Sequence, residues 1–295
     1  MGILEGKAAV VTGGGRGIGR GHCLHLAREG ARVVVNDVDA AEAAKVVREI
    51  AQAGGRAVAS SDDIGTRKGA EALIERCARE FGSVDAVVNN AGIVRDRTFL
   101  KMSDEEFDDV WRIHVKGTFW CSQLGALRMK EGGRGGAIVN TTSGAHMGNF
   151  GQTNYSAAKG AIASMTYTWA LELARYGIRV NCIAPRATTR MTGQLPGREG
   201  REAPFLDPVL NGPMVAWLCS DEADWVTGQV LGTGSDVIIL MQQPTYGDTA
   251  FREGGWTVEA IRSHFPGGIG RKLQPFGLEK RPYPYYGGVK ARSEA

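Results

Sequence analysis

Residues 12–19 read TGGGRGIG and directly follow the short apolar run AAVV at 8–11. Glycines at this spacing let a chain turn tightly after a buried strand, and they let its backbone approach a pyrophosphate held by the free amides of a helix N-terminus. The phosphate loop of nucleoside triphosphatases requires Gly-Lys before Ser or Thr, a pattern that this stretch lacks. The stretch therefore predicts a dinucleotide-binding turn between a first strand and a first helix. The residues expected to contact the nucleotide there are Gly13, Arg16, Gly17, Ile18 and Gly19.

The next strand-like run, RVVVND at 32–37, ends in Asp37. A carboxylate about twenty residues after the glycines can bind the adenosine ribose diol, and its charge would repel a 2′-phosphate. Asp37 therefore favours NAD over NADP. Arg16 is an opposing signal, because a basic residue in the glycine loop can serve a 2′-phosphate. An N-cap role for Asp37 on the following helix is also reasonable and is compatible with the first role.

Short β-branched runs alternate with longer amphipathic segments along most of the chain, which predicts an α/β fold. We expect a doubly wound Rossmann fold with a seven-stranded parallel sheet flanked by helices on both faces. The predicted strands are 8–11, 32–35, 57–60, 86–89, 137–140, 178–184 and 230–239, and the predicted helices are 18–29, 39–53, 67–81, 103–130 and 154–176.

The composition changes at Pro244, which divides the chain into a predicted Rossmann domain at 1–243 and an extended arm at 244–295. The arm holds five of the ten prolines and eight of the 22 aromatic residues, and eight Lys and Arg against five Asp and Glu. A disordered tail would carry fewer aromatics. We expect one short helix near 257–264, and we expect the aromatics to be buried against the body or against a neighbouring subunit of a homodimer or homotetramer.

Bulk properties exclude several classes of function. A formal charge of +3 on 295 residues is too small to indicate nucleic-acid binding. No apolar run reaches the ~18 residues of a membrane span, so no membrane partner is expected. The five cysteines are scattered without a CxxC pair, which argues against a disulfide framework or a metal site and favours a cytoplasmic protein with reduced thiols.

The segment YSAAK at 155–159 places a phenol and an ammonium four residues apart. On a helix, Tyr155 and Lys159 would share one face, and the nearby positive charge would favour the phenolate. Such a pair suits proton transfer to or from an alcohol oxygen. Chance pairs of this kind are common on solvated helices. The position after the fifth strand gives this one weight, because ligands bind at the carboxyl ends of the strands in such sheets.

Five motifs in this order resemble the short-chain dehydrogenase/reductase family: TGGGRGIG, NNAG at 89–92, the hydroxyl-rich end of strand five, YSAAK, and the proline after IRVNCIA. The resemblance spans roughly 1–240. It implies hydride transfer at nicotinamide and a Ser-Tyr-Lys core, with Tyr155 as the acid/base and Lys159 lowering its pKa and holding the nicotinamide ribose. It also implies that Asn89 and Gly92 shape the cofactor cleft and that Asp63 hydrogen-bonds the adenine. The other implied cofactor contacts are Asn90, Ala91, Ile64, and Thr189 at the nicotinamide amide. A helix-capping role for Asp63 is an equal alternative.

The chain departs from the family pattern at two places. The family serine lies thirteen residues before the tyrosine, a position that holds Thr142, whereas Ser143 is twelve residues away. We expect Ser143 to be the catalytic hydroxyl, because Gly144 and Ala145 follow it as in relatives, with Thr142 as the reserve. The usual helix-four asparagine is replaced by His114, which adds a possible titration near neutral pH and a possible proton relay, or serves only the structure.

The segments HVKGTF, GNFGQTNYSAAK and IAPRATTRMT resemble the hydroxyacyl-CoA dehydrogenase domains of peroxisomal multifunctional enzymes and their bacterial stand-alone relatives. This resemblance implies an acyl-CoA or steroid substrate. Two alternatives stay open: a 3-oxoacyl-carrier-protein reductase, which should prefer NADPH, and a cofactor-binding protein without catalysis. The segment that usually forms a substrate lid is short, at about 190–207.

Overall fold

The computed structural model describes residues 2–188, 205–272 and 277–278 of the chain. In this part of the chain, eight strands form one sheet in the order β3-β2-β1-β4-β5-β6-β7-β8. All neighbouring strands are parallel except β7 and β8, which are antiparallel. The strands are β1 Ala8–Thr12, β2 Arg32–Asn36, β3 Arg56–Ser60, β4 Ala86–Asn89, β5 Gly136–Thr141, β6 Ile178–Pro185, β7 Val230–Gly234 and β8 Val237–Met241.

The α-helices cover both faces of the sheet. Their bounds are α1 Gly17–Arg28, α2 Ala40–Gln52, α3 Arg67–Phe81, α4 Asp104–Trp111, α5 Gly117–Gly132, α6 Thr153–Leu173, α7 Gly212–Cys219 and α8 Val258–His264. A π-helical turn, Arg112–Lys116, joins α4 to α5, so the predicted helix at 103–130 is one helical stretch with a local irregularity. The α/β Rossmann fold expected from the sequence is therefore confirmed.

Two apolar layers hold this arrangement together. On one face, α1, α2 and α7 pack on the sheet through side chains such as Leu26, Val46 and Leu218. On the other, α3, α5 and α6 do so through side chains such as Leu73 and Met129. All five residues of β1 are buried, as parallel strands covered on both faces require, and this explains why the strands read as continuous apolar runs rather than alternating ones.

The last strand differs from the sequence-based expectation. The segment 230–239, expected as a single seventh strand, forms β7 and the first part of an antiparallel β8. The two are joined by a two-residue turn in which Ser235 has φ 56°. Hairpin turns of this length need a positive φ at the first position, a conformation normally marked by Gly or Asn. The serine carries no such signal, so the expected seven-stranded parallel sheet was wrong at its edge.

The described part of the arm lies partly on the surface of the chain. The short helix α8 agrees with the expected helix at 257–264. Tyr246 and Phe251 are almost fully exposed, and Trp256 and Phe265 are more than a third exposed. The expectation that these aromatics are buried is therefore not met within one chain. Phe276, Tyr283, Tyr285 and Tyr286 lie outside the described residues. No helix in the described part of the chain is long and apolar enough to span a membrane.

A buried histidine in α1 makes the stability of the fold depend on pH. His22 is fully buried, and neither ring nitrogen has a hydrogen-bond partner among the described residues. Burial, with a smaller contribution from His25, lowers its pKa to about 3. The unfolded chain has a pKa of about 6.5 at this residue and takes up a proton that the folded protein excludes. The stability that depends on the neutral ring is therefore complete above pH ~6.5 and is lost as the pH falls toward 3.

We expect His22→Leu to flatten this dependence, because the substitution removes the proton uptake and the two unpartnered nitrogens. Between pH 6 and 4 the free energy of unfolding of the native protein should fall more steeply than that of the variant by about 1.4 kcal/mol per pH unit. Urea denaturation at a series of pH values measures both slopes. His264→Leu, at an exposed position on α8, is the control. Equal slopes for the native protein and His22→Leu would contradict the prediction.

Candidate active site

A cleft of about 630 Å³ lies at the carboxyl ends of the strands, where the sheet order reverses between β1 and β4. This is where open α/β sheets bind ligands, and the volume is in the usual range for ligand pockets. Apart from Asn89, every predicted site residue in the described part of the chain contributes to its wall: Gly13, Arg16, Gly17, Ile18, Gly19, Asp37, Asp63, Ile64, Asn90, Ala91, Gly92, His114, Ser143, Tyr155 and Lys159. Thr189 lies outside the described residues.

The floor of the cleft is formed by backbone from the ends of β1 and β4. The Thr12 hydroxyl accepts hydrogen bonds from the amides of Asn90 and Ala91, each at 3.0 Å. The Asn90 side chain in turn donates to the carbonyls of Thr12 and Gly13 at 3.0 Å. A Cβ on Gly19 would lie 2.0 Å from the Gly13 oxygen. The first turn of α1 therefore rests directly on the end of β1, at a distance that only glycine permits.

The amino end of α1 is suited to an anion. Gly13 and Gly17 both have positive φ values, 62° and 52°, which turn the chain from the strand into the helix. Arg16 is the N-cap residue, and its side chain makes no capping hydrogen bond in the described structure. The first amides of the twelve-residue helix α1 are thus not capped by this residue and lie at the positive end of the helix dipole. These features fit the pyrophosphate of a dinucleotide.

Asp37 lies beside this turn, one residue after β2. One of its carboxylate oxygens accepts a hydrogen bond from Gly15 N at 3.1 Å, and the other accepts from Asp39 N at 3.0 Å. The N-cap of α2 is Asp39, so the capping role considered for Asp37 belongs to its neighbour. Asp37 is left on the wall of the cleft with a half-buried carboxylate, a position that fits a ribose diol.

Asp63 and Ile64 follow β3 at the same end of the cleft. The Asp63 carboxylate accepts from Gly65 N at 2.8 Å and lies 3.4 Å from a guanidinium nitrogen of Arg112. The N-cap of α3 is Thr66, so the capping alternative for Asp63 is wrong. Ile64 is buried and presents an apolar surface to the cleft.

Val38, which sequence analysis missed, adds a second apolar side chain there. It is 70% exposed, and the signal that the sequence offers for it is its position directly after Asp37.

Ser143 and Tyr155 meet in the cleft. Burial raises the pKa of the Tyr155 phenol to about 12, and the nearby Ser143 side chain opposes this shift. The Ser143 oxygen also accepts from Ala145 N at 3.2 Å, which orients the hydroxyl at the start of a short 3₁₀ turn. Thr142 instead donates its hydroxyl to the backbone oxygen of Lys159 at 2.7 Å and is 1% exposed. The geometry thus brings Ser143, and not the Thr142 hydroxyl, to the phenol.

Lys159 is buried beneath Tyr155. Its ammonium donates to the Thr141 carbonyl at 2.6 Å and lies 5.5 Å from the centre of the Tyr155 ring. Burial lowers the pKa of Lys159 to about 8. The sequence argument expected this ammonium to lower the pKa of the phenol. In the protein alone burial is the largest effect on the phenol and raises its pKa to about 12, so at neutral pH the phenol is protonated.

His114 lies on the π-helical turn and packs edge-on against the Tyr155 ring, with the ring centres 5.4 Å apart. Its Nε2 is 2.8 Å from the Ile93 oxygen and 3.0 Å from the Ile93 nitrogen. A Cβ on Gly92 would lie 2.3 Å from the imidazole, so the glycine makes room for the ring. Burial, reinforced by Lys159, lowers the pKa of His114 to about 3. The titration near neutral pH considered from the sequence is therefore not met, and the neutral ring holds the end of β4 in place.

The structure corrects the expectation for Asn89. Its side chain points away from the cleft and donates to Ser122 at 2.8 Å and to Asn140 at 2.9 Å, and Asn140 donates onward to Thr166. The following residue, Asn90, takes the position in the cleft. Sequence analysis also missed Thr12, although the threonine stands in the quoted motif. Its role depends on a contact with β4, 78 residues away, which no local pattern reveals.

The arm returns to the site through two described residues. Leu278 N donates to Gly148 O at 2.8 Å, and Gly277 is buried against the same glycine. A Cβ on Gly144 would lie 2.9 Å from Leu278 Cδ1, so the leucine covers the residue next to Ser143. The arm therefore borders the active-site turn within its own chain, on the side of Ser143.

A family model described as short chain dehydrogenase matches residues 7–199. The chain is 43% identical over 258 residues to the hydroxyacyl-CoA dehydrogenase ChsB1 of Mycobacterium tuberculosis. The matched region covers 82% of this chain and 81% of that protein. The chain is 38% identical over 230 residues to peroxisomal multifunctional enzyme type 2 of Mus musculus. That matched region covers 75% of this chain and 31% of the longer protein. A crystal structure of a short chain dehydrogenase from Mycobacterium avium superposes with a TM-score of 0.83 at 40% identity, covering 91% of this chain and 96% of that one. The resemblance seen in the sequence is confirmed, and the chain belongs to the short chain dehydrogenase family of oxidoreductases.

Proposed function

We propose that the protein is an NAD-dependent dehydrogenase that interconverts a secondary alcohol and a ketone on a 3-hydroxyacyl-CoA or a steroid-type substrate. The observation that carries this proposal is the meeting of Ser143, Tyr155 and the buried ammonium of Lys159 on one wall of the cleft, with the ammonium 5.5 Å from the centre of the Tyr155 ring. A donor and a proton-transfer group at one point of a dinucleotide cleft are what a carbonyl reduction or an alcohol oxidation needs.

The proton chemistry follows from the state of each group. A bound nicotinamide coenzyme supplies hydride chemistry in such a cleft. In the direction of reduction, the protonated phenol of Tyr155 donates its proton to the carbonyl oxygen, while the Ser143 hydroxyl donates a hydrogen bond to the same oxygen. In the direction of oxidation, the phenolate takes the proton from the alcohol. Lys159 stays largely protonated at neutral pH with a pKa of about 8, and its remaining donors are free to bind a ribose hydroxyl.

The choice of NAD rests on the charge at the adenosine end of the cleft. Asp37 presents a carboxylate where a 2′-phosphate would lie, and bringing two negative charges together is unfavourable. The alternative of a 3-oxoacyl-carrier-protein reductase would require a site for that phosphate. Arg16 is the basic residue of the glycine loop, and it is paired with Asp39 and Glu42. The alternative of a non-catalytic cofactor-binding protein is disfavoured by the intact Ser143–Tyr155 contact.

The substrate class is supported by the apolar border of the site and by the relatives. Leu278 and Met147 lie close to Gly144 on the Ser143 side. Apolar side chains at this position suit a bulky acyl or steroid group better than a small polar alcohol. The printed name of ChsB1 describes a hydroxyacyl-CoA dehydrogenase, and we extend that class to this chain.

We also propose that the protein assembles as a homodimer or homotetramer in the cytoplasm. The edge strand β8 exposes Ile238 and Leu240, which are 72% and 63% exposed. A groove of about 250 Å³ between α5 and α6 is bordered by Phe119 and Trp169. Apolar surface of this extent is typical of interfaces rather than of solvated surface.

Tyr155→Phe should abolish turnover while leaving NAD affinity nearly unchanged, because the phenol acts on the substrate oxygen. We expect a loss of at least ~100-fold in kcat with a 3-hydroxyacyl-CoA and NAD, followed as NADH absorbance. Tyr167→Phe, on the same helix but outside the cleft, is the matched control. Turnover of Tyr155→Phe within a few fold of the native rate would refute the proposed function.

Ser143→Ala and Thr142→Val should separate catalysis from structure. Removing the Ser143 hydroxyl should lower kcat by ~100-fold and leave the melting temperature nearly unchanged, since the residue is only half buried. Removing the Thr142 hydroxyl leaves the Lys159 carbonyl without its buried donor, so it should lower stability by ~1 kcal/mol and change kcat much less. Steady-state kinetics of both variants measure kcat, and thermal melts measure the change in stability. The reverse ordering of the kcat losses would assign the role to Thr142.

NAD should bind more tightly than NADP by at least ~10-fold, because Asp37 repels a 2′-phosphate. Asp37→Asn removes the charge and keeps an acceptor for one of the two amides, of Gly15 and Asp39, that donate to the carboxylate, so the ratio of the two dissociation constants should shrink. Titration of intrinsic fluorescence with each nucleotide measures the ratio. Comparable affinities of the native protein for the two nucleotides would disprove the preference.

A further inference from the structure

Arg16 stands at the rim of the cleft but is engaged by the start of α2. Its guanidinium lies 2.5 Å from a carboxylate oxygen of Asp39 and 3.3 Å from one of Glu42. The three side chains are partly exposed, with 40%, 40% and 26% of their surface accessible. Arg16 thus meets two carboxylates from the helix that follows Asp37, and the four residues together carry three negative charges and one positive charge.

The position of α2 makes this pairing a built feature of the fold. Asp39 is the N-cap of α2 and accepts from the amides of Ala41 and Glu42, which orients its carboxylate. Glu42 occupies the third position of the helix, where a glutamate often bonds back to the N-cap amide. Here Asp37 accepts from that amide at 3.0 Å, so the Glu42 side chain can turn to Arg16. A Cβ on Gly15 would lie 2.9 Å from Glu42 Cβ, which shows how closely the glycine loop and α2 approach.

A 2′-phosphate would compete directly with these two carboxylates. A guanidinium has a limited set of donors in one plane, and two of its nitrogens already face carboxylates. A phosphate at this end of the cleft would have to displace them and would then lie beside three carboxylates. Each exposed ion pair contributes little to stability, but together they decide whether Arg16 offers a net positive charge to the ligand.

We propose that Asp39 and Glu42 are specificity-determining residues that neutralise Arg16 and so prevent it from recruiting the 2′-phosphate of NADP. The preference for NAD then has two parts, the repulsion by Asp37 and the occupation of Arg16 by α2. This inference rests on the proposed function, in that it assumes a nicotinamide dinucleotide in the cleft. It explains why a chain with an arginine in its glycine loop still presents an acidic surface to the adenosine.

The experiment measures dissociation constants of NAD and NADP by calorimetry on the full-length protein, at about 50 mM and 300 mM salt. The release variant is Asp39→Ser with Glu42→Gln, because serine retains an N-cap acceptor. Glu42→Gln alone, which leaves the cap intact, is the second variant in case the double variant folds poorly. The matched control is Glu49→Gln, which breaks the ion pair between Arg20 of α1 and Glu49 of α2, away from the cleft.

We expect the release variant to bind NADP ~10-fold more tightly than the native protein at low salt, and NAD within twofold. The gain should be smaller at high salt, since the interaction is between exposed charges. Glu42→Gln alone should give about threefold, and Glu49→Gln no change. Arg16→Ala should cancel the gain in the release background, measured as the ratio of the NADP and NAD dissociation constants.

Two results would overturn the inference while leaving the proposed function intact. In the first, NAD binds as expected but the release variant binds NADP no better than the native protein. In the second, the gain persists after Arg16→Ala, which would show that the removed negative charges act by repulsion alone. A protein that binds neither nucleotide would instead overturn the proposed function, and the inference with it.

Discussion

The contact between the ends of β1 and β4 is the constraint on which the site depends. The Thr12 hydroxyl accepts hydrogen bonds from the amides of two residues after β4, and the Asn90 side chain donates hydrogen bonds to two carbonyls at the end of β1. Gly19 packs so closely on the Gly13 carbonyl that a side chain at position 19 would not fit. This contact joins the two halves of the sheet where the strand order reverses. It sets the position of the first turn of α1, and with it the amides available to a phosphate. A side chain in this gap would separate the anion site from the residues after β4 and β5 that carry the chemistry.

A second constraint lies one strand further along the sheet, where a buried ammonium must be satisfied. Burying the charge of Lys159 is costly, and within the described residues its hydrogen-bond acceptor is the carbonyl of Thr141, the last residue of β5. The neighbouring hydroxyl of Thr142 bonds back to the Lys159 carbonyl, so the strand and the helix hold each other at two points. This double link fixes the distance between the turn that carries Ser143 and the helix that carries Tyr155. The Ser143 and Tyr155 side chains meet because these two hydrogen bonds join Thr141 and Thr142 beside Ser143 to Lys159 beside Tyr155.

The sequence predicted those features that local spacing determines. Glycine spacing predicts a tight turn, an acidic residue at a strand end predicts a side chain at the sheet edge, and i,i+4 spacing predicts a shared helix face. Gly13, Asp37, Tyr155 and Lys159 all line the cleft, as these patterns indicated. The choice between Asn89 and Asn90 depends on which side of a strand faces the cleft, and an apolar run buried on both faces gives no alternation to read. Ser143 and Thr142 could not be separated by counting, because a loop of changed length alters the count without altering the contact. The turn at Ser235 has a serine at its positive φ, and the exposure of Tyr246 and Phe251 in the arm depends on tertiary packing that composition does not encode.

The burial of Tyr155 has a consequence for the direction of proton flow. In the protein alone the phenol is held neutral, with a pKa near 12, so it is prepared to donate a proton to a carbonyl and poorly prepared to take one from an alcohol. The ammonium of Lys159 lies 5.5 Å from the centre of the ring. Additional positive charge in the same water-poor cleft would favour the phenolate. The oxidised form of a nicotinamide ring carries such a charge and the reduced form does not. Under the proposed function, a bound oxidised nicotinamide would favour the Tyr155 phenolate as the base of the oxidation, and the reduced form would leave the neutral phenol as the acid of the reduction.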